Sequence, residues 1–285
     1  MISLILFVCL TPIQDLGGPE AEKLKNLIAT GGIGRRAKAK PLGHLSKKYE
    51  VGNGGPETIS SGKIYDKKSK KQVDDPGGVS YGSYQFASKR GLGGSTLKTF
   101  IAKHFAKEFE GLEIGSKQFD EQWVKTVLKD DVKFRQIEHE FVKTTHYDPV
   151  VAGIKEKTGL DVAKRSRALQ DVLWSTAVQH GPPADGRGHA IPLLEKALGG
   201  WSKDELAKSV APGDKVDAAK KVGQPASFAV DDADIIKAVY DERARKREDG
   251  KMVYFPALGD LPRFKSEKAD ALSNLAAERK PMAKK

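Results

Sequence analysis

Asp75-Pro76-Gly77-Gly78-Val79-Ser80-Tyr81-Gly82-Ser83-Tyr84-Gln85-Phe86 is the stretch on which the reading of this chain turns. Asp-Pro-Gly is turn chemistry, because proline presets its backbone angle and glycine accepts angles that other residues resist. From Val79 to Phe86 the β-forming residues predict a strand. Upstream, His44-Leu45-Ser46-Lys47-Lys48-Tyr49-Glu50 predicts a helix, Leu42 to Glu50, that ends on a carboxylate. Gly52-Asn53-Gly54-Gly55-Pro56 closes it, since that run cannot continue a helix. One carboxylate at a helix end is therefore followed by a glycine-rich hairpin bearing a second carboxylate and a hydroxyl.

Cleavage of a glycosidic bond needs such a pair: one carboxyl to protonate the leaving oxygen, another to activate water or stabilise the cationic centre. Glu50 is the candidate general acid, because the negative end of a helix dipole and burial against Tyr49 both disfavour its ionised form. Asp75 is the candidate base or electrostatic stabiliser, with adjacent Asp74 left as an alternative and ordinary turn chemistry as the plainer reading of both. Ser80 would hold the attacking water, and Gly82 would let substrate lie against the backbone. Tyr81, Tyr84 and Gln85 would alternate along the strand as substrate-binding groups, offering rings and an amide to sugar hydroxyls.

Lys48-Tyr49-Glu50 followed by residues 75–86 resembles a group of phage- and secretion-system-associated lysozyme-like proteins. It is similar, more distantly, to bacterial chitosanases of the lysozyme superfamily, in which a Glu ends a helix and Asp-Gly-x-Gly-x-Thr leads into an apolar strand. On this chain that Glu falls on Glu50 and that Asp on Asp75, while Ser80 replaces the water-holding Thr. Residues 172–181 look like the long buried helix of the phage-type group, and Ile64 to Val73 looks like an insertion between the carboxylates. Gly82-Ser83-Tyr84-Gln85 is similar to the Gly-x-x-Gln strand of lytic transglycosylases, which leaves a non-hydrolytic outcome open.

The resemblance implies a mainly α (α+β), lysozyme-like fold: a two-lobed helical domain with a small β-hairpin or three-stranded sheet at the active-site cleft. It implies a peptidoglycan hydrolase of muramidase or endolysin type, cutting β-1,4 bonds between amino sugars without a cofactor or metal. The alternatives are a chitosanase-type hydrolase, a lytic transglycosylase, or a non-catalytic glycan-binding component of a virion or secretion spike. The implied partners are peptidoglycan glycan strands and phage tail or secretion-spike proteins. The implied place of action is the bacterial wall, on its periplasmic or extracellular side, for a phage-encoded or secreted protein.

Net charge is +11 over 285 residues, which points to a polyanionic partner. The positive charge is scattered, and no nucleic-acid-binding signature or aromatic–basic array accompanies it, so no specific nucleic acid is expected. A wall carrying peptide carboxylates fits this charge better than chitosan, a polycation. The single cysteine, Cys9, excludes an intrachain disulfide. Ile2 to Leu10 is apolar but far short of the roughly 20 residues of a membrane span, so no stable membrane insertion is expected. It is either a signal-peptide core, without a preceding Lys or Arg, or a packed hydrophobic segment. His104, His139, His146, His180 and His189 lie too far apart in sequence to suggest a metal site.

Three parts are expected: residues 1–41 (apolar segment, a short Pro19–Ala29 helix, a basic linker), a catalytic domain over 42–280, and a basic tail, 281–285. Strands are predicted at Thr58–Ser61 and Lys63–Tyr65, with Lys67–Lys71 as a solvated hairpin tip. From Ser95 onward apolar residues recur at helical spacing: Leu97, Phe100, Ile101 and Phe105, then Phe119, Trp123 and Val127, then Phe134, Ile137 and Phe141. Asp148-Pro149 starts a further helix, and Arg167–His180 is the strongest core helix, ended by Gly181. Trp123 and Trp174 read as core, Trp201 as a candidate for sugar stacking, and Ala211–Ser227 as a loop.

Overall fold

After α1 (His44–Glu50) come two antiparallel hairpins, β1 (Lys63–Asp66) with β2 (Lys71–Asp74), and β3 (Ser80–Tyr81) with β4 (Phe86–Ala87). The rest is helical: α2 (Thr96–His104), α3 (Lys117–Lys129), α4 (Asp131–Val142), α5 (Asp148–Thr158), α6 (Arg167–His180), α7 (Ala190–Ala197), α8 (Lys203–Lys208), α9 (Asp232–Arg243) and α10 (Arg263–Arg279). The fold is mainly α with small β elements, as the helical spacing predicts. The computed structural model describes residues 42–50, 54–66, 70–184, 188–208, 230–254 and 263–279, all within the unit Leu42–Lys285. The Pro19–Ala29 helix, the apolar segment with Cys9, the Ala211–Ser227 loop and the basic tail lie outside the described residues.

Local chemistry starts most of the long helices. The side chains of Ser95, Ser116, Asp130, Ser166 and Asp231 accept hydrogen bonds from backbone N–H groups in the first turns of α2, α3, α4, α6 and α9. Gly181, at φ 78°, ends α6. Asp148-Pro149 does begin α5, with the proline in its first turn, and one turn of π-helix, Lys143–Tyr147, joins α4 directly to it. Helix α6 lies at the centre of the second half of the fold, packed by α1, α5, α7, α9 and α10. An aromatic cluster joins the β3–β4 hairpin to α2, α3 and α4, with Phe86 4.7 Å from Phe100 and Tyr81 5.2 Å from Trp123, ring centre to ring centre.

The strand expected over Val79–Phe86 is instead a reversal. The chain turns at Gly82–Gln85, with Gly82 at φ 81° and Gln85 at φ 51°. A distant residue dictates this. Glu138 of α4 is fully buried, and its Oε1 accepts a hydrogen bond from the Ser83 N–H at 2.9 Å. That same oxygen occupies the space a Cβ on Gly82 would need. The transglycosylase-like Gly-x-x-Gln stretch is thus a turn, and among the described residues the sheets are two-stranded, with Thr58–Ser61 contributing an isolated bridge, Ile59 to Tyr81.

Buried charge fastens the later helices together. Arg243 of α9 and Glu267 of α10 are both fully buried, with Nη1 and Oε1 3.3 Å apart, and Ser175 of α6 donates to the same Glu267 oxygen. Arg165 donates to Asp232 through Nε at 2.6 Å and to the Val230 carbonyl. Removing one partner strands the other charge in an apolar interior. Glu267→Ala is therefore expected to cost about 3–5 kcal/mol, read as a lowered urea midpoint; an unchanged midpoint would count against the pair as a fastening.

Burial pushes the Glu138 carboxyl from 4.5 up to about 7, against the opposing hydrogen bonds from Ser83. The folded protein then holds a proton that the unfolded chain releases above pH 4.5, so this group's stabilisation declines as pH rises through about 7. Glu138→Gln keeps the acceptor for Ser83 without the titration. Between pH 5 and pH 8 it should remove about 2 kcal/mol of the decline in unfolding free energy. Urea unfolding at the two pH values tests this, and equal declines in both proteins would refute it.

Candidate functional site

Helix α1 is short and is held from both ends. Asp171, buried in the middle of α6, accepts the Gly43 N–H at 2.6 Å and the Leu45 N–H at 2.9 Å. Burial raises the Asp171 carboxyl to about 6, opposed by those two N–H groups. Gly43, at φ 85°, lies so close to the Trp174 indole that any Cβ there would overlap it. At the other end the Tyr49 hydroxyl donates to Asp270 of α10 at 2.7 Å, Lys48 pairs with the same carboxylate, and Arg263 donates to the Tyr49 carbonyl at 3.3 Å. Glu50 is the last residue of α1. Its side chain lies outside the described residues.

Asp75 sits where the chain leaves the β1–β2 hairpin. Its N–H donates to the Gly62 carbonyl at 2.8 Å, its carbonyl accepts from Gly78, and its Oδ1 accepts the Gly77 N–H at 2.7 Å. The carboxylate is thereby oriented at a half-buried position. Gly78, at φ 72°, has Ser88 and Lys89 where a side chain would go, so the turn needs glycine. Asp74 differs in every respect. It is largely exposed, and the hydrogen bond from Lys63 holds its carboxyl below the ordinary value. Between the two, Asp75 is the one built into a framework. Ser80 follows in β3, half-buried, its N–H donating to Ser60 Oγ at 2.8 Å.

The substrate-facing strand expected of Tyr81, Gly82, Tyr84 and Gln85 does not form. Tyr81 is fully buried, its hydroxyl donating to Asp120 at 2.6 Å, and burial raises its pKa. Tyr84 is hydrogen-bonded to His139 Nδ1 at 3.0 Å, and His139 in turn stacks on Trp174 at 4.7 Å between ring centres. Burial lowers the His139 pKa. Gly82 is filled by Glu138, and the Gln85 amide donates back to the Gly82 carbonyl at 3.1 Å. These residues brace the hairpin against α4 and α6. Asp75 and Ser80 are the predicted residues that the structure sets together on one turn and strand.

Sequence reasoning missed Asp171 and Glu138, whose only local signal is an acidic residue at an otherwise apolar helix position. A groove of about 1200 Å³ runs along α3 and α4, lined by Phe105, Gln122, Leu128 and Ile137 among others. None of the predicted site residues lines it. Among the described residues no cluster of His, Cys, Asp and Glu could hold a metal ion, and no helix is long and apolar enough to cross a membrane.

Residues 42–257 match a family described as type VI secretion system spike protein VgrG3-like, C-terminal. The type VI secretion system spike protein VgrG3 of Vibrio cholerae serotype O1 is 36% identical over 166 residues, which take in 58% of this chain and 14% of that protein. The motif-based resemblance to phage- and secretion-system-associated lysozyme-like proteins, and more distantly to chitosanases, is corrected by these matches to a secretion-spike family. That resemblance rests on a few dozen positions, whereas the match to the spike family extends through all the described elements up to α9. The chain belongs to the family of VgrG3-like C-terminal regions of type VI secretion system spike proteins.

Proposed function

We propose that this chain is the wall-engaging end of a secretion spike and that it hydrolyses β-1,4 bonds in the glycan strands of peptidoglycan. Glu50 protonates the leaving oxygen, Asp75 activates water or stabilises the cationic centre, and Ser80 holds the water. The supporting observation is the setting of Asp75: an oriented carboxylate on a glycine-dependent turn, downstream of a short helix that is fastened at both ends and finishes on Glu50. The reading places the protein's action outside the cytoplasm of the delivering cell, in company with other spike components. The basic balance of the chain suits a wall rich in peptide carboxylates.

A second reading keeps wall engagement without cleavage. The naming of the family and of the Vibrio relative as spike proteins favours it, since those names carry no catalytic activity. The two readings part on purified walls. The hydrolytic one expects release of reducing ends that falls about 100-fold or more in Glu50→Gln and in Asp75→Asn, with sedimentation on walls retained. Sedimentation with no reducing ends from the unaltered protein would leave the binding reading. Anhydro ends in place of reducing ends would replace hydrolysis by an intramolecular transfer.

A further inference from the structure

Among the described elements, none forms a layer under the β1–β2 hairpin. Its strands pair in the register Lys63–Asp74, Ile64–Val73, Tyr65–Gln72 and Asp66–Lys71, and they pack extensively on each other alone among the described elements. A two-stranded hairpin by itself is marginal in water, so apolar groups on it ordinarily face a core. Here they face solvent: Ile64 is 43% exposed, Tyr65 61% and Val73 37%. These are three of the five exposed large apolar side chains among the described residues, which makes the arm, rather than the body, the conspicuous surface.

The two faces of the arm differ. Residues opposite one another share a face and neighbours alternate, so Ile64, Lys71 and Val73 fall on one side and Lys63, Tyr65, Gln72 and Asp74 on the other. The second side combines an aromatic ring, a primary amide and an ion pair. A tyrosine ring offers its face to the C–H groups of a sugar, and a glutamine amide both donates to and accepts from hydroxyl and acetamido groups. The root of the arm is the Asp75 N–H to Gly62 carbonyl bond, so the arm rises from the turn that carries the candidate carboxylate, with Asp74 on the Tyr65 face and Asp75 at the alternate position. Lys63, Lys70 and Lys71 add exposed positive charge.

We propose that the β1–β2 hairpin, which rises from the Asp75 turn, is a glycan-binding arm whose Tyr65–Gln72 face takes up an anionic, peptide-bearing wall strand. The proposal rests on the reading of wall glycan as the target but not on its cleavage. The test is co-sedimentation with purified, protein-free sacculi, carried out in the Glu50→Gln background so that the walls stay intact. Tyr65→Ala with Gln72→Ala should weaken binding about tenfold, whereas Tyr65→Phe, which keeps the ring, should stay within about twofold. Ile64→Thr with Val73→Thr alters the other face, preserves strand propensity, and should also stay within about twofold. Lys70→Glu, beside the start of β2, should weaken binding at low salt and converge with the parent at high salt. The proposal falls if the Tyr65/Gln72 variant sediments like its parent, if the parent does not sediment, or if the Ile64/Val73 variant loses as much. Tyr65-dependent sedimentation with no reducing ends from the unaltered protein would overturn hydrolysis and leave the arm standing.

Discussion

One buried carboxylate answers two N–H groups at the start of α1, and the arrangement of the candidate site follows from it. A helix of seven residues has too few internal hydrogen bonds to persist alone. Asp171 supplies what the sequence of α1 lacks, from the centre of the best-packed helix in the fold. Desolvating a carboxylate is costly, and burial accordingly raises the Asp171 pKa. The two N–H groups offset it, and in return the direction of α1, and so of the backbone at Glu50, is fixed relative to α6. Trp174, one turn further along α6, closes against Gly43 and leaves α1 little freedom to slide.

The same α6 face reaches the hairpin through a relay of rings. Trp174 stacks on His139, His139 holds the Tyr84 hydroxyl, and Tyr84 lies beside Phe86. Next to His139 in sequence, Glu138 accepts the Ser83 N–H and fills the space over Gly82. Both regions that bear candidate carboxylates are thus referred to one pair of helices, α4 and α6. Aromatic groups that a strand reading would hand to the ligand are used for this bracing instead.

Helices were legible because their causes are local. Caps such as Ser95, Ser116 and Ser166 and the stripe Phe119, Trp123, Val127 lie within a turn or two of what they explain. The limits of Arg167–His180 follow from a serine before it and a glycine after it. The hairpin regions were less legible. Val79–Phe86 has strand composition, and its reversal at Gly82–Gln85 is held by Glu138, more than fifty positions away, as well as by the turn's own Gln85-to-Gly82 hydrogen bonds. Lys71-Gln72-Val73-Asp74 is too polar to predict as a strand, yet it pairs with Lys63–Asp66 because the connection between them is short. At the site, Asp75 could be picked out by its turn. Asp171 could not, because nothing near it in sequence shows that its partners are Gly43 and Leu45.

The π-turn at Lys143–Tyr147 constrains the length of this chain. Helices α4 and α5 form one rod, and the extra residue in the wide turn resets its phase part-way along. Because of that offset, Phe141 and Val142 before it and Val150 and Ile154 after it are all buried. Dropping a single residue from the turn would give a straighter rod whose second half is rotated by about 100°, carrying Val150 and Ile154 off the core. Relatives of this chain should therefore tolerate exchanges of residue type in that turn far more readily than a change in its number of residues.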